Sequence, residues 1–262
     1  NPAMFQHEEN VAIAYGMGMT AEKVAQQWKI SREAQDEFAL TSHQRALRAI
    51  QTGEFQQEIA PYTVDEKRPD LITHQVHEEI SVKDTDEGPR ADTNLEALAK
   101  LKPVFAAKGS VTAGNSSQMS DGAGAVVLMS ETAMQRFNLS PLGRFIGFSV
   151  AGVPPEIMGV GPIKAIPKVL AQTGIKQDDL DWIELNEAFA AQSLAVINEL
   201  GLDRGKVNPL GGAIALGHPL GATGSIRVAT LLHGLRRHQK KYGMVTMCIG
   251  SGMGAAGIFE AL

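Results

Sequence analysis

Between Pro141 and Leu262 short apolar runs alternate with helical stretches, and this alternation limits the fold more than any other feature of the 262 residues. "PLGRFIGFSVAGV" reads as a strand with small residues on one side. "GPIKAIPKVLAQTG" reads as a helix with Pro162 in its first turn, where a missing N–H costs nothing. Pro167 lies inside it, forfeits a hydrogen bond and is expected to kink it. "LDWIELNEAFAAQSLAVINELG" predicts a short buried strand, a sharp junction at Asn186 and a helix stopped by Gly201. "GGAIALGHPLGATGSIRVATLLHGLRRHQKK" predicts a glycine-rich loop feeding a helix with a basic end. "GMVTMCIG" and "GAAGIFEAL" read as two strands around a glycine turn. Strands that alternate with helices make a layered α/β domain.

Upstream, "MTAEKVAQQWKI" predicts a helix capped by Thr20. A longer helix follows in "SREAQDEFALTSHQRALRAIQTG". Ser31 can cap it, Glu33 suits its positive end, and Gly53 sits past its last turn. From Glu54 to Lys108 the texture changes: 19 of 55 residues are charged. Alternating pieces such as "QVHEEISV" predict small strands on an exposed excursion. His74 and His77 lie here without a Cys or third His nearby, so they read as solvated histidines and no metal is expected. "GSVTAGNSSQMSDGAGAVVLMSE" predicts a tight loop rich in backbone donors, a buried strand "AVVLM" and a helix capped by Ser130.

The net charge of −5 argues against a general nucleic-acid binder, which would carry a basic stripe. A lone cysteine forms no internal disulfide, which points to a reducing, cytoplasmic setting. No apolar run reaches membrane-spanning length. The opening "NPAMFQHEEN" has no initiating Met and reads as the start of a truncated chain.

Three polar residues share one kind of address. Asn186 ends the strand "DWIEL", His218 lies in the loop "GGAIALGHPLGATG", and Cys248 ends the strand "GMVTM". Strand ends and their loops form the ligand crevice of α/β domains, and glycines let backbone N–H groups approach a substrate. Each residue also has a plain reading: Asn186 as a helix cap, His218 as a hydrogen-bonded core histidine, Cys248 as a small buried hydrophobe. Three reactive types at comparable positions favour a working site. There is no GxSxG elbow, no P-loop and no Rossmann fingerprint.

"NEAFA", "GGAIALGHPLGATG" and "CIGSGMG", in this order and spacing, resemble the C-terminal signature blocks of thiolases. "MGMTAEKVAQQWKISREAQDEFA", "TAGNSSQMSDGA" and "MGVGP" resemble further thiolase segments, so the resemblance runs the full chain. It implies the thiolase fold: two similar α/β halves, each a mixed five-stranded sheet layered with helices, plus an α+β loop domain that holds coenzyme A. On that basis residues 1–119 are expected to form the loop domain and to bind coenzyme A and the acyl chain. Residues 120–140 are expected to be a remnant strand and helix of an N-terminal half-domain that is largely missing. Residues 141–262 are expected to be the C-terminal thiolase domain.

The resemblance assigns roles residue by residue. Cys248 resembles the acid/base cysteine. His218 resembles the histidine that activates the nucleophile and helps bind the thioester oxygen. Asn186 resembles the residue that holds a water in that oxyanion hole, and Gly250 the backbone donor of a second one. Ser117 resembles the serine at the pantetheine chain. Arg90, Ala113 and Phe105 fall where the family contacts the nucleotide end; Met17, Met158 and Phe189 fall along the acyl and pantetheine tunnel. The family's attacking cysteine lies upstream of the segment resembling "GMGMTAE", so the chain by itself is expected to be inactive and to expose a large apolar face.

As a whole protein, the resemblance implies cleavage of 3-ketoacyl-CoA with coenzyme A as co-substrate and no other cofactor. It implies acyl-CoA and coenzyme A as partners, no nucleic acid, a homodimer or homotetramer, and a possible β-oxidation partner subunit. Gly16 stands where acetoacetyl-specific biosynthetic enzymes carry His, which favours the degradative branch. The alternatives are an acetoacetyl-CoA-forming thiolase and a non-catalytic acyl-CoA-binding half-chain.

Overall fold

The computed structural model describes residues 2, 6–7 and 12–262. Most of the opening "NPAMFQHEEN", the basis for expecting a truncated chain, lies outside the described residues.

Two helices lead. α1, Met17–Gln27, begins three residues before the expected cap. Thr20 is therefore buried inside the helix, where its hydroxyl donates to Met17 O at 2.7 Å instead of capping. α2, Arg32–Gln51, starts as expected: the Ser31 hydroxyl accepts from Ala34 N, and Gly53 follows the helix at φ 73°. The charged excursion is an antiparallel ribbon of β1, Tyr62–Pro69, and β2, Val76–Lys83. The short α3, Leu95–Ala99, is capped by Asn94.

Residues 119–130 depart from expectation. "AVVLM" is not a strand and is not buried; Val127 is 84% and Leu128 85% exposed. An apolar run becomes a strand only when a neighbouring strand accepts its backbone hydrogen bonds, and none of the described residues does so here. The following helix α4, Glu131–Phe137, does form, with Ser130 accepting from Ala133 N.

The second half holds β3, Gly143–Gly152; α5, Pro162–Thr173; β4, Trp182–Leu185; α6, Ala190–Leu200; α7, Ala213–Leu216; α8, Thr223–Arg237; β5, Tyr242–Ile249; and β6, Met253–Ala261. The strand order is β3-β6-β5-β4, with β4 and β5 parallel and the other pairs antiparallel. The sheet is mixed, as the α/β reading requires. It has four strands among the described residues rather than five: beyond β4 only a single parallel bridge, Ile183 to Val207, forms. α5 continues through Pro167 as one assigned helix.

The core sits mainly on the α5 and α6 side of the sheet. Ile166, Val169, Leu180, Ile183, Val196, Met244 and Ile258 form its largest buried cluster. On the other side α8 lays Leu231 and Leu235 against Trp182 and Val245. Phe145, Phe148 and Val150 of β3 remain exposed with Met253, Val126 and Leu220. This is the apolar exposure the sequence predicts.

Candidate active site

β4 and β5 run parallel with Leu185 opposite Thr246, so both strands deliver their C-terminal ends to the same edge of the sheet. Asn186 follows β4, and its N–H donates to Thr246 O at 3.0 Å. Cys248 lies two residues further along β5, opposite Gly254 of β6. Asn186 is not a helix cap: α6 starts at Ala190 with Phe189 before it.

The Asn186 side chain turns to the glycine-rich loop. Its Nδ2 lies 3.3 Å from Nε2 of His218, while Nδ1 of the same ring lies 2.7 Å from the Thr223 hydroxyl. Asn186 Oδ1 is buried without a protein partner. Burial pushes the His218 pKa down, and the nearby Arg227 cation adds to the shift. The ring is therefore neutral at pH 7, with one nitrogen a donor and the other an acceptor.

The loop holding His218 is fixed from below by Glu187. This fully buried carboxylate accepts from Ser42 at 2.6 Å, Asn208 Nδ2 at 2.8 Å and Ile214 N at 3.3 Å. The Ser42 hydroxyl in turn accepts from Gly212 N at 3.0 Å. From above, Gln118 Nε2 donates to the carbonyls of Gly88, Ile214 and Ala215.

Cys248 is partly exposed, and its thiol is pushed up to about 11, chiefly by desolvation. It is a neutral thiol at pH 7, a form that can give up a proton but is a poor nucleophile. No hydrogen bond joins it to His218 among the described residues. Gly250 opens the turn between β5 and β6, ahead of Ser251 at φ 68° and Gly252 at φ 94°. A Cβ at Gly250 would meet nothing within 4 Å, so its backbone is open to a ligand.

The other expected binding residues divide. Ser117 N donates to Ala188 O at 2.9 Å, which ties the serine loop to the strand end bearing Asn186. Phe189 packs edge-on against Phe105, with centroids 6.1 Å apart, and the Phe105 ring fills the space in front of Gly18. Met17 starts the helix carrying that glycine, and Met158 is buried in the turn Pro155–Val160, which packs against α1. Arg90 and Ala113 are not drawn to the Asn186–His218 pair. The Arg90 N–H donates to His43 Nδ1 and its guanidinium is held by Asp92, while Ala113 is exposed on a 3-10 turn.

Sequence reasoning missed Glu187, Thr223 and Arg227. Arg227 is 3% exposed and pairs at 3.2 Å with Glu184, which is fully buried on β4. The signal was present: "LNEAF" places an acid directly beside Asn186, and Arg227 falls on the apolar stripe of α8.

Strand ends carrying Asn186 and Cys248, with a glycine loop presenting His218, define an α/β enzyme-like site built on backbone donors and a thiol. Two family models match: "Thiolase, N-terminal domain" over residues 4–132 and "Thiolase, C-terminal domain" over residues 139–261. The chain belongs to the thiolase family. It is 51% identical over 246 residues to the 3-ketoacyl-CoA thiolase of Bacillus subtilis, covering 93% of this chain and 62% of that protein. It is 50% identical over 250 residues to the human peroxisomal 3-ketoacyl-CoA thiolase, covering 93% and 57%. Among solved structures, the Bacillus anthracis acetyl-CoA acetyltransferase aligns with a TM-score of 0.89 and 48% identity, covering 94% and 60%. The human mitochondrial 3-ketoacyl-CoA thiolase in complex with CoA aligns at 0.86 and 46%, covering 94% and 59%. The chain thus spans about 60% of the length of the relatives it matches. No helix among the described residues is long and apolar enough to cross a membrane.

Proposed function

We propose that this chain is the acid/base and oxyanion-binding part of a 3-ketoacyl-CoA thiolase, which cleaves 3-ketoacyl-CoA with coenzyme A to acetyl-CoA and a shortened acyl-CoA. The observation that carries this reading is the 3.3 Å contact between Asn186 and His218 at the sheet edge where β5 brings Cys248.

Cleavage between the α and β carbons leaves negative charge on the thioester oxygen of the departing acetyl unit. Donors aimed at such an oxygen are worth ~10²–10³ in rate each. Asn186 and His218 serve one such position, Asn186 through a water; the backbone N–H of Gly250 serves a second. Cys248 gives its proton to the carbanion carbon, a step for which a protonated thiol is suited. A separate thiol must accept the acyl group. Cys248 is the only cysteine of this chain, so the chain by itself carries no acyl-accepting cysteine.

Ser117, Phe105, Phe189, Met17 and Met158 form the pantetheine and acyl passage. Arg90 and Ala113 contact the nucleotide end in the bound state. Residues 1–119 form the unit that holds coenzyme A, and residues 141–262 the unit that carries the chemistry. The lone cysteine suits a reducing, cytoplasmic setting; the exposed β3 face suits cover by the N-terminal half-domain, and the family likeness suits a homo-oligomer of the whole protein.

The test is thiolysis of 3-ketohexadecanoyl-CoA by the whole protein and by the 262-residue chain. The whole protein turns over, and His218→Ala, Cys248→Ala and Asn186→Ala each lower kcat/KM by at least ~10². Full activity in all three variants, or robust turnover by the isolated chain, sinks the reading. A second reading, formation of acetoacetyl-CoA, draws on the likeness to the acetyl-CoA acetyltransferase structure. It predicts that acetoacetyl-CoA outcompetes the long-chain substrate.

A further inference from the structure

His218 is asked to do two opposite things at one atom: take a proton from a thiol, then offer a proton to an oxygen. Both are possible at Nε2 only if the resting ring carries its proton on Nδ1. We propose that Thr223 is a positioning residue that locks His218 in the Nδ1–H tautomer and so reserves Nε2 for proton transfer. The inference deepens the acyl-transfer reading of this site and rests on it.

The proton order follows from three contacts in series. Asn186 Nδ2 is a donor, and it lies 3.3 Å from Nε2, so Nε2 must be the acceptor. A neutral ring with Nε2 as acceptor carries its proton on Nδ1. Nδ1 lies 2.7 Å from the Thr223 hydroxyl, which must then accept. A hydroxyl has a single proton, and the Thr223 oxygen lies 3.0 Å from Pro219 O, where that proton goes. The chain of donation runs from Nδ1–H to Thr223 and from Thr223 to the carbonyl that opens α8.

The reverse order fails at the far end. If Thr223 donated to Nδ1, Nε2 would carry the proton and would face an N–H₂ group, donor against donor. Turning the Asn186 amide would relieve that clash. It would also place the N–H₂ group where Oδ1 now sits, a buried position with no partner. The flip leaves both N–H bonds unanswered, whereas as the amide stands one N–H is answered by Nε2 and the buried unpartnered atom is an oxygen, which is less costly to leave so than an N–H. Thr223 itself is 2% exposed and Pro219 leads directly into its helix, so the hydroxyl has little freedom to turn to another partner.

The consequence is a defined proton step. A thiol S–H bond breaks, its electron pair stays on sulfur as thiolate, and the proton bonds to Nε2. The imidazolium then presents Nε2–H, and the same nitrogen becomes a donor. Nδ1 keeps its proton and its bond to Thr223 throughout. The burial that holds His218 neutral at rest makes the proton easy to release again.

The experiment is long-range ¹H–¹⁵N correlation on the histidine-labelled 262-residue chain at pH 8. The expected His218 pattern is that of Nδ1–H. In Thr223→Val, which keeps the shape and removes the acceptor, the ratio of Nδ1–H to Nε2–H falls at least about tenfold. In Thr223→Ser the wild-type pattern is kept, which separates the hydroxyl from the packing of the methyl group. An Nε2–H pattern in the wild type, or an unchanged ratio in Thr223→Val, overturns the proposal. Thiolysis by the whole protein gives the second readout: Thr223→Val lowers kcat more than it changes KM, and Thr223→Ser restores it. A loss confined to KM also overturns it. Absence of thiolysis in the wild-type whole protein, with the Nδ1–H pattern intact, counts against the acyl-transfer reading and not against the tautomer.

Discussion

Gly212 stands directly against the carboxyl group of Glu187, so close that a Cβ there would overlap Cδ and both oxygens. The contact sets the distance between the strand end carrying Asn186 and the loop carrying His218. Gly212→Ala must push the carboxylate off Ser42, Asn208 and Ile214, or move the loop. We expect a loss of roughly 1–3 kcal/mol, the usual cost of inserting a methyl into a packed interior. Gly221→Ala, five residues past α7 with open space around it, should stay within about 0.5 kcal/mol of wild type. Urea unfolding midpoints check both, and equal midpoints for the two variants would contradict the packing.

Arg227 and Glu184 form a buried ion pair, one on α8 and the other on β4. Arg227→Met removes the cation and leaves the carboxylate in an apolar setting, beside Trp182 Nε1 at 2.7 Å. The expected loss is about 3–5 kcal/mol at pH 7. Burial already raises the Glu184 pKa, and Arg227 opposes that rise. Without Arg227 the folded-state value climbs further above the unfolded one. The stability of such a group is fully present below its unfolded pKa and is lost as pH rises through its folded pKa. The deficit of Arg227→Met relative to wild type therefore shrinks as pH falls from 8 towards 5. Denaturant titrations across that range check the sign.

Glu58 sits just beyond α2, with its Oε1 accepting from Thr230 at 2.8 Å and its Oε2 buried without a partner. Desolvation lifts its pKa to about 7 despite the Thr230 hydrogen bond. A folded pKa above the unfolded value of 4.5 means the contact is favourable at acid pH and weakens as pH rises through 7. Glu58→Gln mimics the protonated form. It should stabilise the protein at pH 8 by about 2–3 kcal/mol relative to its effect at pH 5. A difference that does not change with pH would show that Glu58 titrates normally.

Part of this site is legible from the sequence alone. Asn186, His218 and Cys248 are reactive types at strand ends and in a glycine loop, and the parallel pairing of β4 and β5 brings the two strand ends to one edge. What escapes is the support beneath them. Glu187 looks like an ordinary first-turn acid, and only the fold reveals Ser42, 145 residues away in sequence, as its partner. Thr223 reaches His218 through a turn whose geometry no periodicity reports. The apolar run Val126–Met129 misleads for a physical reason: hydrophobic pattern marks a segment that can be buried, whereas a strand also needs a neighbour to complete its hydrogen bonds. The fifth strand fails likewise, because Val207 makes one bridge and the chain then turns at Asn208, φ 45°.

Because Cys248 is the only cysteine of the 262-residue chain, its reactivity can be read on that chain without ambiguity. Thiol alkylation follows the thiolate fraction. A thiol raised to about 11 by burial should react with iodoacetamide at a rate that climbs roughly tenfold per pH unit between 7 and 10, with no plateau. The alternative is a thiolate–imidazolium pair with His218, which would give a plateau below pH 7. The structure favours the first outcome, since the two contacts of the His218 ring go to Asn186 and Thr223. His218→Ala should accordingly leave the alkylation profile in place, and a shift of the profile in that variant would mean that the ring does address the thiol. The measurement thereby separates a cysteine that waits as an acid from one already poised as a nucleophile.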